Sequence, residues 1–266
     1  MCGIVGLFLK DPSLEPELGN LLTDMLVTMS DRGPDSAGIA IYGKDSAERI
    51  KLTLQSDQPD DDFGSLASAL SSALGTEVSL RINDTHAVLE LAQTQLADAR
   101  MTLAELRPKV RIMSTGETIE IYKEVGLPAE VADRFGLRNM SGTHGIGHTR
   151  MATESAVTTL GAHPFNTGAD QCLVHNGSLS NHNSLRRKLR REGMAFETDN
   201  DTEVGAAYLT WKMQNGSSLG EALESGLADL DGFYTFVVGT KDGFGVLRDP
   251  IACKPAVLAE TDDYVA

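Results

Sequence analysis

Residues 2–9, directly after the initiator methionine, read CGIVGLFL. The apolar and β-branched residues of this stretch predict a β-strand, which ends at the Asp-Pro pair of residues 11–12. The first residue of the stretch is Cys2. Aminopeptidases remove an initiator methionine readily when the next residue is small, so we expect Cys2 to become the mature N-terminus. One residue would then carry both a thiol and a free α-amine.

The pairing of a thiol with an amine at Cys2 suits nucleophilic catalysis. An α-amine has an ordinary pKa of about 7.7 to 8, so part of it is neutral near pH 7 and can take the proton of the thiol. The alternative is that Cys2 is merely a small residue in a frayed terminus. Cys2 alone leaves both interpretations open, and the rest of the sequence has to decide between them.

The segments that follow the first strand predict an α+β protein. Apolar residues spaced by three and four predict an amphipathic helix over 14–29, before a tight loop at 31–36 and a strand at 38–42. Later strands are predicted at 144–153, 172–179, 232–239 and 243–247, and later helices at 181–191, 201–214 and 219–227. Helices grouped between sets of strands, with hairpin-like connections, favour layered α+β architecture over a doubly wound parallel sheet.

The segment at about 44–142 has a different residue pattern from the rest of the chain and contains no set of residues that suggests catalysis or binding. Its predicted elements are a helix at 63–74, a strand at 78–82, a helix at 88–106 and a hairpin with strands at 110–113 and 118–122. We interpret this segment as an insertion within a single domain that spans residues 1–266.

The composition excludes several classes of protein. The chain has 266 residues, with 38 acidic and 23 basic side chains and a formal net charge of −15. Nucleic acids and anionic membrane surfaces are therefore disfavoured as partners, because both require clustered Lys and Arg. No stretch has the roughly 18 uninterrupted apolar residues of a membrane span, and the N-terminus lacks a signal-peptide pattern. We expect a cytoplasmic protein.

The three cysteines and six histidines predict neither a disulfide framework nor a metal site. The cysteines are few, odd in number and without a CxxC pair. His144 and His148 are four residues apart, but neighbouring glycines disfavour the helix that would place both on one face. We expect no metal in this chain.

Six short motifs occur in order along the chain. They are CGIVG (2–6), RGPDS (32–36), GHTRMAT (147–153), HPF (163–165), HNG (175–177) and DTE (201–203). Together they resemble the class II glutamine amidotransferases, the glutaminase branch of the N-terminal-nucleophile hydrolases, over nearly the whole chain apart from the insertion. The resemblance implies a four-layer αββα fold, with two stacked and mainly antiparallel sheets between helical layers.

The same resemblance implies catalytic roles for three residues. Cys2 corresponds to the nucleophile that attacks the side-chain amide of glutamine and forms a γ-glutamyl thioester. Asn176 and Gly177 correspond to the oxyanion hole, in which the Asn amide and the Gly N–H face the developing negative charge. Without its neighbouring motifs, the Asn-Gly pair would instead suggest a hairpin turn.

Further residues correspond to the substrate-binding set of the family. Arg150 matches the residue that grips the α-carboxylate of glutamine, which a planar guanidinium meets bidentately. Asp201 matches the acid that holds the α-ammonium, and it could also be a helix N-cap, since the two roles are compatible. Thr153 and His163 match supporting residues around the substrate, with ordinary packing as the alternative. Two residues would order the loop beside the nucleophile: Arg32 and Asp35.

The expected reaction needs a partner that uses the ammonia. A glutaminase domain with the insertion takes up the whole 266-residue length, so we expect no acceptor domain here and a synthase partner in a hetero-oligomer. Within the family, the chain resembles stand-alone amidotransferase subunits related to glutamate synthase, such as the small subunit of N-methylglutamate synthase. That resemblance implies no cofactor in this chain, with flavin or iron–sulfur groups expected only in partner subunits.

Two other functions stay open on the sequence. The same fold could hydrolyse another amide, and changes at Arg150 or Asp201 would then matter little. It could also be a non-catalytic docking or regulatory subunit of a synthase complex. A subunit kept only for docking would have no need to retain Arg150 and Asp201 together with Cys2, Asn176 and Gly177.

Overall fold

The computed structural model describes residues 2–44, 48–152 and 156–266. The strands are β1 (Gly3–Leu9), β2 (Ser36–Tyr42), β3 (Arg49–Gln55), β4 (Ser79–Asn83), β5 (His86–Ala92), β6 (Arg111–Gly116), β7 (Ile119–Val125), β8 (His144–Arg150), β9 (Phe165–Gly168), β10 (Gln171–Leu179), β11 (Gly232–Thr240), β12 (Gly243–Arg248) and β13 (Tyr264–Val265). The α-helices are α1 (Leu18–Thr28), α2 (Pro59–Phe63), α3 (Leu66–Leu74), α4 (Leu96–Leu106), α5 (Pro128–Arg134), α6 (His182–Arg191), α7 (Asp201–Gln214) and α8 (Leu219–Asp229). In these parts of the chain, no helix is both long and apolar enough to cross a membrane.

One antiparallel sheet, here called the Cys2 sheet, has the strand order β13-β1-β8-β2-β7. Alternate residues of β1 are buried, as the period-two side-chain pattern of a strand requires. The register pairs Gly3 with Thr149 and Ser36 with Arg150. The start of β1, the end of β8 and the start of β2 therefore lie at one edge of the sheet, and Cys2 and Arg150 lie at that edge.

A second antiparallel sheet, here called the Asn176 sheet, has the strand order β12-β11-β10-β9. It stacks on the Cys2 sheet, and strands of both sheets contribute apolar side chains to one buried cluster. That cluster includes Ala40, Tyr42, Ile121, Ile146, Cys172, Val174 and Val237. The stacking places β10, with Asn176 and Gly177, against the sheet that carries Cys2.

Helices cover the outer faces of both sheets. On the Cys2 sheet, α1 buries Leu18, Leu22 and Leu26, which are four residues apart and share one helix face. The outer face of the Asn176 sheet is covered by α6, α7 and α8, and Val204 and Tyr208 of α7 are fully buried there. The helix, sheet, sheet and helix layers confirm the αββα architecture expected from the sequence.

The expected insertion contains a sheet of its own, with the strand order β4-β5-β3-β6 and a separate apolar core shared with α3 and α4. The helix predicted at 88–106 is wrong over its first part, because residues 88–92 belong to β5 and the helix begins at Leu96. Most of β5 is buried, and both of its faces carry apolar residues, Val88 on one and Ala87, Leu89 and Leu91 on the other. A continuous apolar run of this kind lacks the alternation that distinguishes a strand from a helix.

The hairpin predicted around residues 114–117 is also wrong, because its two strands join different sheets. β6 pairs with β3, whereas β7 pairs with β2 of the Cys2 sheet. Buried Asp170 accepts the backbone N–H groups of Glu117, Thr118 and Ile119, which fixes the chain where it passes between the sheets. The separate sheet thus ends at Gly116, before the expected boundary at 142. The assignment of the chain to one domain stays a prediction.

Candidate active site

Cys2 is half-buried at the edge where β1, β2 and β8 meet. Its Sγ lies 3.9 Å from the carbonyl oxygen of Met151, and the N–H of Gly3 donates a 3.2 Å hydrogen bond to Thr149 Oγ1. Burial raises the pKa of the Cys2 thiol above its ordinary value, against smaller opposing effects of Met151 and Arg150. The thiol is therefore protonated at neutral pH and needs a base before it can act as a nucleophile.

The loop before β2 contacts backbone groups on both sides of this edge. Arg32 Nε donates a 3.3 Å hydrogen bond to the carbonyl oxygen of Cys2. Asp35 Oδ2 accepts the N–H of Ala152 at 2.8 Å. The structure thus brings Arg32 and Asp35 to the backbone beside Cys2, where the sequence placed the ordered loop.

Arg150 ends β8, and its buried side chain lines a cavity that Cys2 also lines. Its Nη1 donates to the carbonyl oxygen of Ala156 at 3.0 Å, which helps to hold the guanidinium in place. Burial lowers the pKa of Arg150, and the nearby Cys2 and Asp201 oppose that shift. A guanidinium stays cationic in proteins, so Arg150 gives the cavity wall a positive charge.

Asp201 is the first residue of α7 and lines the same cavity. Its Oδ2 accepts the N–H of Leu179 at 2.9 Å, and its Oδ1 lies 3.7 Å from His175 Nδ1. Burial raises the pKa of Asp201, but His175 and Leu179 outweigh it and lower the pKa below its ordinary value, so the carboxylate is charged at neutral pH. The N-cap alternative is wrong for Asp201, because Asn200 takes that position and accepts the N–H of Thr202 at 2.9 Å.

A network of buried histidines surrounds Thr202, the residue after Asp201. His163 Nε2 lies 2.7 Å from Thr202 Oγ1, and His175 Nδ1 lies 3.0 Å from the same oxygen. The ring of His148 stacks on that of His163 with 4.0 Å between centroids. A hydroxyl has one proton to donate, so at least one of the two ring nitrogens at Thr202 donates its own. The network fixes His163 and His175 in the wall of the cavity.

Thr202 and His175 are site residues that the sequence analysis did not assign to the substrate-binding set. Both stand inside motifs that it quoted, at 201–203 and 175–177. The signal that could have found them is therefore their position next to Asp201 and Asn176. A motif does not show which side chains meet, so the bridge from Thr202 to two histidines appears only in the structure.

The buried histidines make the stability of the fold depend on pH. Burial lowers the pKa of His148 from 6.5 to about 3, so between these values the folded chain binds fewer protons than the unfolded chain. The free energy of unfolding should fall as the pH drops through this window, by up to about 1.4 kcal/mol per pH unit for this one group. Urea denaturation at pH 7, 6 and 5 checks the prediction: the fall should be shallower in His148→Gln, and an equal slope in both proteins would contradict it.

Asn176 and Gly177 lie within β10, paired with Thr235 and Tyr234 of β11. The hairpin turn that the Asn-Gly pair suggests is therefore wrong. Gly177 has φ +146°, and a Cβ there would lie 2.0 Å from the carbonyl oxygen of Phe233, so this position requires glycine. Asn176 is buried, and each of the two residues lines a cavity that reaches Cys2.

Cys2 lies between two cavities of different character. The polar cavity, of about 430 Å³, is lined by Cys2 together with Arg150, His163, Gly177 and Asp201, among others. The apolar cavity, of about 320 Å³, is lined by Cys2, Arg32, Asn176 and Thr235, and otherwise by mainly apolar residues such as Ile4, Met29, Val237, Phe244, Val246 and Leu258. A cation and an anion in one wall suit a zwitterionic ligand, so the polar cavity is the candidate substrate site.

Two further predictions concern Thr153 and a metal site. Thr153 lies outside the described residues. Among residues 2–44, 48–152 and 156–266, no group of three or more His, Cys, Asp or Glu is placed to hold a metal ion.

A cysteine directly before β1 in an αββα fold, on a cavity that Arg150 and Asp201 also line, is the arrangement of an N-terminal-nucleophile amidotransferase of class II. Two comparisons narrow the class to a family. A family model described as a glutamine amidotransferase domain matches residues 148–266. The glutamine amidotransferase-like protein GlxB of Rhizobium meliloti is 67% identical over 266 residues, which cover 100% of this chain and 88% of that protein. This chain belongs to the glutamine amidotransferase family and is an enzyme of that class.

Another relative and a solved structure are also similar to this chain over its full length. A protein of Methanothermobacter thermautotrophicus is 36% identical over 277 residues, covering 100% of this chain and 90% of that protein. Glutamine phosphoribosylpyrophosphate amidotransferase from B. subtilis has a similar structure, with a TM-score of 0.62 at 20% identity. The match covers 100% of this chain but only 41% of that one, so it supports the fold alone.

Proposed function

We propose that this chain hydrolyses L-glutamine to L-glutamate and ammonia through a thioester at Cys2. The observation that carries the proposal is the polar cavity, where a thiol, a cation and an anion line one space. Arg150 suits the α-carboxylate of glutamine and Asp201 suits its α-ammonium, which leaves the side-chain amide for Cys2. We assign Thr153 and His163 to the support of this site.

In the proposed reaction, the α-amine exposed by removal of Met1 takes the proton of the Cys2 thiol. Sulfur attacks the amide carbon of glutamine, and the negative charge that forms on the oxygen faces the Asn176 amide and the Gly177 N–H. The C–N bond breaks as the amine returns the proton to nitrogen, which releases ammonia and leaves a γ-glutamyl thioester. Water then attacks the thioester, the C–S bond breaks, and glutamate and the thiol are released.

We further propose that the ammonia passes to a synthase subunit, glutamate synthase-like or an N-methylglutamate synthase. The apolar cavity supports this step, because it reaches Cys2 and is not lined by Arg150 or Asp201. Its mainly apolar wall suits neutral ammonia better than ammonium. Flavin or iron–sulfur groups would then belong to the partner subunits in a hetero-oligomer.

The proposed activity is tested by ammonia release from glutamine together with the intact mass of the protein after treatment with a glutamine-like diazo-ketone. We expect one adduct, on the Cys2 peptide, and protection by glutamine but not by propionamide, which lacks the α-carboxylate and α-ammonium. Iodoacetamide serves as the control reagent, because it alkylates a thiol without needing the charged groups of the cavity.

Two results would contradict the proposal in different ways. Equal protection by propionamide and glutamine would favour an amidase for another amide, since Arg150 and Asp201 would then contribute nothing. Failure of the diazo-ketone to react with a correctly processed Cys2, when the partner synthase is present, would favour a docking subunit.

A further inference from the structure

Lys123 of β7 is buried, with 4% of its surface exposed, and its ammonium group contacts one short segment. Its Nζ donates hydrogen bonds to the carbonyl oxygens of Leu160 at 3.1 Å, Ala162 at 2.8 Å and Pro164 at 3.2 Å. These three oxygens use the three N–H donors of the ammonium. The segment they belong to, residues 160–164, carries His163.

The charge of Lys123 is costly at this place. Burial lowers its pKa from 10.5 to about 7, with Arg150 acting in the same direction and Glu203 and Glu197 opposing. Burial lowers the pKa values of His86 and His163, and the charge of Lys123 adds a smaller effect in the same direction. Among the described residues, no carboxylate forms an ion pair with Lys123, and its Nζ also lies 4.5 Å from the ring centroid of Phe165. An apolar side chain would avoid this cost, and the interactions that offset it are the three hydrogen bonds to the carbonyl groups of the 160–164 segment.

The neighbouring strand is shaped for the same contact. Gly38 of β2 pairs with Lys123 in the register of the Cys2 sheet. A Cβ at Gly38 would lie 1.9 Å from the carbonyl oxygen of His163. Glycine at this position therefore lets the 160–164 segment lie directly on the sheet, within reach of the Lys123 ammonium.

The other side of the segment is tied to the start of α7. Asn200 Nδ2 donates to the carbonyl oxygen of Gly161 at 3.0 Å. His163 Nε2 lies 2.7 Å from Thr202 Oγ1. Asn200 and Thr202 are the residues directly before and after Asp201. The 160–164 segment thus connects the Cys2 sheet to the helix end that carries the proposed α-ammonium contact.

We propose that Lys123 is a positioning residue of the glutamine site: by holding three carbonyl groups of the 160–164 segment, it sets the position of His163 and, through Thr202, that of Asp201. This inference rests on the proposed function, because it assigns Lys123 to the binding of the same substrate. Lys123 does not line the polar cavity, so its effect on glutamine is indirect.

The inference is tested with Lys123→Met and Lys123→Arg in the full chain. Methionine has a side chain of similar length to lysine but no hydrogen-bond donors. Arginine keeps the positive charge, but its planar guanidinium does not match three converging carbonyl groups. For both variants, we expect the KM for glutamine to rise about tenfold or more, with kcat changed by less than about threefold. Hydrogen exchange of the peptide that covers residues 158–166 should become faster, a change that does not depend on activity.

Lys51→Met is the matched control. Lys51 of β3 is also largely buried, but its ammonium pairs with Glu120 of β7 at 3.2 Å and not with the carbonyl groups of the 160–164 segment. We expect its KM and the exchange of residues 158–166 to equal those of the wild type.

The outcomes separate this inference from the proposed function. A wild-type chain that does not hydrolyse glutamine, even with its synthase partner, would overturn the proposed function. A wild-type chain that hydrolyses glutamine, with a folded Lys123→Met or Lys123→Arg whose KM is unchanged, would overturn only the role of Lys123. Loss of folding in both variants would assign Lys123 to core stability instead and would also overturn it.

Discussion

Replacement of Cys2 by alanine is expected to lower kcat for glutamine hydrolysis by about 10⁴-fold or more, which amounts to background activity. In the proposed reaction, alanine keeps the α-amine and removes the sulfur that forms the thioester. The thiol is half-buried and its contact with the carbonyl oxygen of Met151 is long, 3.9 Å, so the fold should survive its loss. Ammonia release measures the activity, and thermal unfolding shows whether the variant is folded.

The other two cysteines provide controls of two kinds. Cys253 is exposed, and Cys253→Ala should retain the wild-type kcat. Cys172 is buried with its Sγ 3.4 Å from the hydroxyl of Tyr42, and burial raises the pKa of its thiol to about 11, so it is a poor nucleophile. Activity that persists in Cys2→Ala and disappears in Cys253→Ala would contradict the assignment of the nucleophile.

The same assignment makes the terminus itself a requirement. An extra residue that cannot be removed before Cys2 turns the α-amine into an amide, which can no longer take the proton of the thiol. Such a chain should keep its fold and lose its glutaminase activity. Full activity with the extension in place, verified by mass, would show that another group acts as the base.

Much of this site could be predicted because its residues stand in short motifs at strand ends. Cys2 and Arg150 are far apart in the sequence, yet the antiparallel register brings β1 and β8 to one edge. The apolar patterns predicted these strands, although they do not predict the register. The family resemblance supplied that link, and the structure then brought Cys2, Arg150 and Asp201 to one cavity.

The remaining features depend on contacts that local sequence does not encode. Lys123 stands in a strand and has no motif around it, and the carbonyl groups that it binds lie 37 to 41 residues further along the chain. The apolar run at β5 is as suitable for a helix as for a central strand, and only burial on both faces decides between them. In the same way, β6 and β7 alternate like a hairpin, but Asp170 fixes the chain between them and each joins a different sheet.

Replacement of Asn176 by alanine is expected to lower kcat by about 10² to 10³-fold and to leave the KM for glutamine nearly unchanged. The negative charge on the amide oxygen forms only in the transition state, so a donor aimed at that oxygen stabilises the transition state more than the bound substrate. Asn176 is buried beside Cys2 in the wall of the apolar cavity, so water replaces the lost amide poorly. Steady-state kinetics with glutamine measures both constants, and the exposed Asn215→Ala is the control.

The variant Asn176→Asp separates the loss of a donor from the loss of packing. Aspartate has nearly the shape of asparagine, but its carboxylate donates no hydrogen bond and repels the charge that forms on the oxygen. If the amide acts as a donor, kcat should fall in Asn176→Asp at least as far as in Asn176→Ala. If only the packing matters, the aspartate variant should be nearly as active as the wild type. A rise in KM that accounts for the whole loss of kcat/KM would instead place Asn176 among the contacts made by the bound substrate, because such a loss is the same in the ground state and the transition state.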